Sequence, residues 1–299
     1  MIASPKQANV NDIGVNTVYL DGEFVRPELA MISPFDRGFI FGDGVYEVIP
    51  VFGGRLFRLP HHLQRLRNSL TAIGLAAPLS AERWREVLQR LVDDAGGGDQ
   101  SLYLQVTRGV APRNHAFPKN TKPTVFAYTQ KKVFAEKTVQ QSGAAVITAA
   151  DIRWLRCDIK STSLLAAVML REQAERAGAI EAILIRDGLV TEGAASNIFL
   201  VRDSVLITPP KGQFILPGIT RDLVLELARE HDIAVQERDV KEGELLQAQE
   251  VWITSSTNEI KPIASINGAA VAGTPGPLYQ QMYDLYERYK QALREGRVE

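Results

Sequence analysis

Apolar and polar residues alternate along the first part of the chain in short runs that predict two β-hairpins. One hairpin turns at Asp21-Gly22 and the other at Gly53-Gly54. Asp and Gly tolerate the positive φ angles that a two-residue hairpin turn requires. The paired strands are predicted over residues 17–20 with 23–25 and over residues 46–52 with 56–59.

The apolar period then lengthens from two residues to that of an α-helix. Apolar residues recur at helical spacing over residues 62–75, which predicts an amphipathic helix. Ser80 is typical of an N-cap and predicts a second helix that ends near Ala95. Further strands are predicted over residues 102–106 and 124–129. Hairpins combined with two helices indicate an α+β domain.

The polar segment 131–142 has no apolar pattern and is predicted to link two domains, residues 1–130 and residues 143–299. In the larger C-terminal domain, short apolar runs alternate with helical patterns, which is typical of an α/β arrangement. Strands are predicted over residues 144–149, 182–185, 197–201, 205–207 and 251–255, and helices over residues 161–177, 220–230 and 277–292.

Composition narrows the class of protein. The 299 residues are 45% hydrophobic and 23% charged, and the net charge of −1 gives no attraction to nucleic acid or to an anionic membrane. No apolar run is long enough to predict a membrane span, and residues 1–15 lack the pattern of a secretory signal. The single cysteine, Cys157, excludes an internal disulfide and a cysteine-based zinc site. We expect a cytoplasmic protein without a metal site.

Lys160 is the first candidate for chemistry. It closes a charged segment, residues 151–161, in which two arginines precede a predicted helix start. Neighbouring positive charge and the helix dipole both disfavour a further cation there. They favour the uncharged amine, which is the nucleophile that Schiff-base chemistry requires. Composition alone favours the alternative, a solvated loop whose charges pair internally.

Glu192 is the second candidate, followed by the small residues Gly193-Ala194-Ala195 and a strand. Small residues let a flat ligand approach the backbone, and a carboxylate can keep a pyridine nitrogen protonated. Residues 216–222 open a predicted helix whose backbone N–H groups form an anion site, and residues 254–257 add hydroxyl donors. Each motif taken singly is also typical of a tight turn or an ordinary helix N-cap.

Arg113 and His115 lie two residues apart in the loop 109–122, so both can bind one carboxylate, the arginine with two hydrogen bonds. A solvated loop is the alternative. Tyr46 and Glu47 follow glycines on a predicted strand, so one side chain faces the core or a cleft and the other faces away.

Together these motifs resemble the pyridoxal 5'-phosphate (PLP) enzymes of fold type IV. This group includes branched-chain and D-amino acid aminotransferases, R-selective amine transaminases and aminodeoxychorismate lyases. The segment Glu192–Phe199 looks like the group's E-x-x-x-S-N-I-F signature, and it follows Lys160 in the expected order. The resemblance covers residues 17–268. It implies a two-domain α+β / α/β fold of type IV with the cofactor in the cleft between the domains.

Within the group the chain is most similar to the D-amino acid aminotransferases. That resemblance implies ping-pong transamination between a D-amino acid such as D-alanine and a 2-oxo acid, either 2-oxoglutarate or pyruvate. Lys160 would hold PLP as a Schiff base and move the proton, and Glu192 would hold the pyridine nitrogen. The other cofactor contacts would come from Arg65, Leu216, Ile219, Thr220 and Ser256. The substrate carboxylate would be bound by Tyr46, Tyr103, Arg113 and His115.

In the D-amino acid enzymes the Arg-x-His loop reaches across from the partner subunit, so the resemblance also implies a homodimer. One departure from their pattern is Ala194-Ala195, where those enzymes carry serines; the change would remove a hydroxyl near the cofactor ring. Four alternatives remain. They are a branched-chain L-amino acid aminotransferase, an R-selective amine aminotransferase, an aminodeoxychorismate lyase and a PLP-binding protein without turnover.

Overall fold

The computed structural model describes residues 14–132 and 142–299. Most of the predicted linker 131–142 and most of residues 1–15 lie outside the described residues. The chain divides into two compact units, which we call the N-terminal and C-terminal units. Of the described residues, the N-terminal unit contains 14–132, 160–163 and 293–299, and the C-terminal unit contains 142–159 and 164–292.

Among its described residues, the N-terminal unit forms a six-stranded antiparallel sheet in the order β2-β1-β6-β5-β3-β4. The strands are β1 (Val18–Leu20), β2 (Glu23–Val25), β3 (Gly44–Phe52), β4 (Arg55–Leu56), β5 (Gln100–Thr107) and β6 (Thr124–Lys131). The helices are α1 (Arg37–Phe41), α2 (Leu59–Ala72) and α3 (Ala81–Asp94). Helices α2 and α3 pack on the sheet and bury its apolar residues.

Strand β3 shows how the period-two pattern divides the two faces of this sheet. Val45, Glu47 and Ile49 are buried, whereas Tyr46 and Val48 between them are only half-buried. Successive side chains of a strand point to opposite faces. Glu47 therefore shares the face that α2 covers, and Tyr46 lies on the other face.

The local predictions for this unit are confirmed at the hairpins and at the second helix. Asp21 and Gly22 adopt positive φ angles between β1 and β2, and Gly53 and Gly54 do so between β3 and β4. Ser80 caps α3, since its hydroxyl accepts a hydrogen bond from the backbone N–H of residue 83 at 3.2 Å. The strand predicted over residues 56–59 ends earlier, because α2 already begins at Leu59 with a proline in its first turn, where proline is tolerated.

The described residues of the C-terminal unit form a mixed ten-stranded sheet in the order β12-β11-β10-β14-β15-β7-β8-β9-β13, with β16 paired to β15. The strands are β7 (Ala144–Ala150), β8 (Glu181–Arg186), β9 (Leu189–Gly193), β10 (Asn197–Arg202), β11 (Val205–Thr208), β12 (Val235–Glu237), β13 (Val240–Lys241), β14 (Glu250–Ser255), β15 (Glu259–Ile266) and β16 (Ala269–Ala270). The helices are α4 (Leu165–Arg176), α5 (Ile219–Glu230) and α6 (Pro277–Arg294).

One predicted helix boundary is wrong in a way that matters for the site. The helix expected from residue 161 begins at Leu165, because residues 160–163 instead run beside β3. Ser161 forms a β-bridge with Val45, and the backbone N–H of Thr162 donates to the carbonyl of Gly44 at 2.9 Å. The argument that placed Lys160 at a helix start therefore does not hold.

Helix α6 carries a stripe of tyrosine and methionine side chains along one side, and most of them are buried. Tyr279, Met282 and Tyr286 are fully buried, and the ring of Tyr279 meets that of Trp252 edge to face at 5.8 Å. The stripe therefore packs the helix against its own unit. In the described part of the chain, no helix is long and apolar enough to cross a membrane.

Candidate active site

Lys160 is held through its backbone within the N-terminal unit. Its carbonyl accepts a hydrogen bond from the N–H of Tyr46 at 3.0 Å, and its own N–H donates to Ser69 Oγ at 3.2 Å. The side chain is half-buried, and Nζ lies 4.3 Å from the centroid of the Tyr46 ring. The segment 160–163 thus fixes the origin of the lysine side chain and leaves the amine beside a predicted substrate residue.

Tyr46 and Tyr103 come from the neighbouring strands β3 and β5 and lie on the same face of the sheet. Their rings stack with centroids 5.7 Å apart, and Tyr103 Oη donates to Gln105 Oε1 at 2.7 Å. Burial raises the pKa of Tyr103 well above the ordinary value for a phenol. The Tyr103 hydroxyl therefore stays protonated and remains a hydrogen-bond donor at neutral pH.

Arg65 projects from α2 into a buried cluster with Glu47 and His62. Its Nε and Nη2 donate to the two oxygens of Glu47 at 2.8 and 2.7 Å, and His62 Nδ1 lies 2.7 Å from Glu47 Oε2. Burial opposes ionisation of Glu47, but Arg65 and His62 outweigh it and lower its pKa to about 2. The carboxylate of Glu47 consequently fixes the orientation of the Arg65 guanidinium.

Arg113 and His115 are both exposed and lie beside one aromatic ring. The guanidinium carbon of Arg113 lies 5.4 Å from the centroid of Phe41, and the His115 ring lies at the same distance from it. The structure thus brings the two predicted carboxylate-binding residues together, as their spacing of two residues suggested.

Glu192 is buried in the C-terminal unit, where its carboxylate accepts hydrogen bonds from three groups. Arg153 Nη1 donates to Oε1 at 2.5 Å, Asn197 Nδ2 donates to Oε2 at 3.0 Å, and the N–H of Leu216 lies 3.1 and 3.0 Å from the two oxygens. Asp151 binds the same arginine through Nε at 2.9 Å. The side chain of Glu192 is therefore held in one orientation from several directions.

Burial raises the pKa of Glu192 to about 7, against the opposing attraction of Arg153. We expect the carboxyl of the cofactor-free protein to be half protonated near neutral pH, protonated below that point and ionised above it. Infrared difference spectra between the wild type and Glu192→Gln, recorded across the pH range, isolate this one carboxyl band. A midpoint near the ordinary value of 4.5 would contradict the expected effect of burial.

Two of the predicted cofactor-binding residues, Ile219 and Thr220, lie in the first turn of α5. Gly218 is its N-cap, so the N–H groups of Ile219 and Thr220 belong to the first turn, which has no acceptor within the helix. A Cβ atom on Gly218 would lie 1.9 Å from Asn197 Oδ1, so glycine is required for this close approach. Ser256 is half-buried in the turn between β14 and β15. Leu216 is half-buried, and its carbonyl accepts from Asn197 Nδ2 at 2.9 Å.

Sequence patterns assigned no role to several residues that hold the candidate site residues in place. Glu47, His62 and Ser69 orient Arg65 or Lys160, and Arg153 and Asn197 hold Glu192. Glu192 and Asn197 lie five residues apart in the signature segment, whereas the partners in the other pairs are far apart along the chain and are brought together by the tertiary fold. Cys157 is buried, and burial raises the pKa of its thiol to about 11, so the thiol is protonated at neutral pH.

Residues 44–266 match the family described as Amino-transferase class IV, and the chain belongs to this family. It is 47% identical to the D-alanine aminotransferase of Bacillus licheniformis over 262 residues, which are 87% of this chain and 92% of that protein. It is 40% identical to the D-alanine aminotransferase of Staphylococcus epidermidis over 277 residues, 92% of this chain and 98% of that protein.

Solved structures of other aminotransferases are also similar to this chain over most of its length. The branched-chain aminotransferase of the archaeon Thermoproteus uzoniensis with norvaline is 29% identical, with a TM-score of 0.84 over 95% of this chain and 97% of that chain. The expected fold class and enzyme class are confirmed by these comparisons. The individual site residues stay predictions.

Proposed function

We propose that this chain catalyses PLP-dependent transamination between a D-amino acid and a 2-oxo acid. The main support is the similarity to D-alanine aminotransferases at 47% and 40% identity over most of both chains. The chain also has, at the expected positions, an amine at Lys160, a buried carboxylate at Glu192 and the exposed pair Arg113 and His115. The proposal assigns a role to each of these groups.

The chemistry of the available donors fits PLP. Glu192 offers a buried acceptor of fixed orientation for a pyridine N–H, and the first turn of α5 offers backbone N–H groups of the kind that bind phosphate. The hydroxyl of Thr254, at the end of β14, is buried and has no hydrogen-bond partner in the described part of the chain. We propose that these residues, with Arg65 and Ser256, serve one bound cofactor.

When bound, PLP supplies an electron sink for the negative charge left by loss of a Cα proton. Glu192 would keep the proton on the ring nitrogen, which makes that sink effective. The Lys160 amine would hold the resting cofactor through a Schiff base and, once displaced by substrate, would move the proton on one face. Ser69 and Tyr46, which fix the Lys160 backbone, would set that face.

Selection of the D-isomer would follow from where the substrate carboxylate binds. Arg113 and His115, with Tyr46 and Tyr103, would bind this group. The Cα proton would then point towards Lys160 only in a D-amino acid. The Arg113 guanidinium can form two parallel hydrogen bonds to one carboxylate, which fixes both its position and its plane.

The glycine at the start of α5 provides a test of the proposed cofactor contacts. In Gly218→Ala the new methyl group would displace Asn197, which holds both Glu192 and the Leu216 carbonyl. We expect PLP to dissociate at least about tenfold more readily, because donors around the ring and phosphate would shift. Gly212→Ala is the matched control, since its Cβ would meet nothing within 4 Å. Equal PLP affinity of the two variants would contradict these contacts.

We further propose a homodimer in which the loop carrying Arg113 and His115 serves the neighbouring subunit's site. Mixing inactive Lys160→Ala and Arg113→Ala subunits by unfolding and refolding together tests this directly. A mixed dimer then contains one site with both residues intact, so about a quarter of wild-type activity should return. Absence of recovery, with mixed dimers confirmed by mass, would show that each loop serves its own subunit.

A coupled product assay tests the reaction itself. Purified protein with added PLP should convert D-alanine and 2-oxoglutarate to pyruvate and glutamate, and chiral chromatography should identify the glutamate as the D-isomer. Preferential use of L-leucine or of (R)-1-phenylethylamine would instead identify the other aminotransferases of this fold. Pyruvate release without a 2-oxo acid acceptor would indicate a lyase, and absence of any turnover would indicate a binding protein.

We also propose that the enzyme acts in the cytoplasm, where its free, buried thiol at Cys157 would stay reduced. Cell fractionation should recover the protein with the cytoplasmic fraction. Recovery in the membrane or in the culture medium would contradict this proposal.

A further inference from the structure

Asp43 joins two buried arginines near the base of the loop 109–122. Its Oδ2 accepts hydrogen bonds from Arg37 Nε at 2.7 Å and from Arg108 Nε at 2.8 Å. The side chains of Arg37, Arg108 and Asp43 are only 4%, 5% and 11% exposed. Arg37 lies in α1 and Arg108 directly follows β5, so one carboxylate orients two guanidinium groups from different elements.

Both guanidinium groups also contact the loop that carries the predicted carboxylate-binding residues. Arg37 Nη1 donates to the carbonyl of Asn114 at 2.5 Å, and Nη2 donates to the carbonyl of His115 at 3.5 Å. Arg108 lies with its guanidinium carbon 3.6 Å from the centroid of Phe117. The loop is therefore held at three nearby residues by two side chains that share Asp43.

The ends of the loop are fixed as well. The N–H of Arg37 donates to the carbonyl of Gly109 at 2.9 Å, and Gly109 has a φ of +88°. A Cβ atom there would lie 2.0 Å from the carbonyl oxygen of Lys122, so the two ends of the loop are in close contact. The Arg113 and His115 side chains are exposed and lie beside the Phe41 ring, and the backbone contacts made by Arg37 fix the part of the loop from which they project.

The carboxyl group of Asp43 is ionised at neutral pH. Burial opposes its ionisation, but hydrogen bonds and charge from Arg108 and Arg37 outweigh that effect and hold the pKa of this carboxyl below its usual value. Both hydrogen bonds to the arginines are therefore charge-assisted at neutral pH, and such bonds are stronger than neutral ones.

We propose that Asp43 is a positioning residue for recognition of the substrate carboxylate. It orients Arg37 and Arg108, which hold the loop 109–122 in the shape that presents Arg113 and His115. Asp43 would thereby determine how strongly the enzyme prefers amines that carry a carboxylate over amines that lack one. This inference rests on the proposed function, in which Arg113 and His115 bind that group.

Hydrogen exchange tests whether Asp43 holds the loop 109–122 in place, and the measurement requires neither cofactor nor substrate. In Asp43→Asn, exchange of backbone amides in residues 109–122 should accelerate several-fold, whereas exchange in α3 should not change. Arg37→Lys keeps a positive charge for Asp43 but lacks the planar fork, so it should accelerate exchange in the same loop. Asp99→Asn is the matched control, since Asp99 also pairs with an arginine, Arg294, but precedes the opposite end of β5. Unchanged loop exchange in Asp43→Asn and Arg37→Lys would overturn the proposal.

The kinetic part is a comparison of D-alanine with D-alaninol, which lacks the carboxylate. In Asp43→Asn and Arg37→Lys, kcat/KM for D-alanine should fall about tenfold through a higher KM, while kcat/KM for D-alaninol should change less than twofold. Equal losses for both amines would show a general structural defect and overturn the positioning role. A wild type that transaminates no D-amino acid would refute the proposed function, whereas the exchange result would still report on the loop.

Discussion

Replacing Lys160 by alanine should abolish transamination, with kcat lowered by at least ~10³-fold. The variant would lose both the amine that binds the cofactor covalently and the base that moves the Cα proton. The yellow absorbance of a protonated Schiff base, near ~410–420 nm, should disappear together with activity. Absorption spectra of the purified variant with added PLP, measured beside steady-state rates, check both expectations.

The appropriate control is Lys160→Arg, which keeps a positive charge beside the Tyr46 ring but forms no Schiff base. It should be as inactive as the alanine variant, and it should likewise lack the absorbance band near ~410–420 nm. Retention of the absorbance band in either variant would mean that a different lysine binds the cofactor.

Replacing Arg113 by alanine should lower kcat/KM for D-alanine by about 30- to 1,000-fold, which corresponds to roughly 2–4 kcal/mol. The substrate carboxylate would lose a bidentate charged partner, and the remaining histidine and tyrosines would provide single hydrogen bonds. The PLP absorbance should persist, because Arg113 is not assigned to the cofactor. Steady-state kinetics with D-alanine and with D-alaninol, which lacks the carboxylate, distinguish a loss of carboxylate binding from a general loss of activity.

Lys119→Ala is the control for Arg113→Ala, since Lys119 is a cation in the same loop with no proposed contact to the substrate. Its kcat/KM should remain within about twofold of the wild type, as expected for a charge near the surface. If Arg113→Ala behaves in the same way, the carboxylate is recognised elsewhere and the preference for D-amino acids loses its structural basis.

Sequence patterns predicted the fold best where local chemistry decides it. The turns at Asp21-Gly22 and Gly53-Gly54 and the N-cap at Ser80 agree with the structure, because φ preferences and side-chain capping act over a few residues. The predictions failed where partners lie far apart along the chain. Residues 161–163 were predicted as the start of a helix but run beside β3, and β15 was missed although it lies centrally in its sheet.

The same distinction applies to the site. Lys160 and Glu192 could be proposed because each lies in a recognisable local motif. The groups that orient the candidate residues could not, since Glu47 meets Arg65 across 18 positions and Asp43 meets Arg108 across 65. Only the register of β3 with its neighbours and the packing of α2 bring such pairs together. Sequence therefore proposed candidate residues for the chemistry, and the structure shows which neighbouring groups hold those candidates in place.

The most direct measurement is a half-reaction titration of the PLP-loaded protein, followed by absorbance without any acceptor. D-Alanine should remove the band near ~410–420 nm, pyruvate should restore it, and L-alanine should leave it unchanged. If L-leucine removes the band while D-alanine does not, the chain is an aminotransferase of the opposite stereochemical preference, and the role given to Arg113 and His115 is wrong.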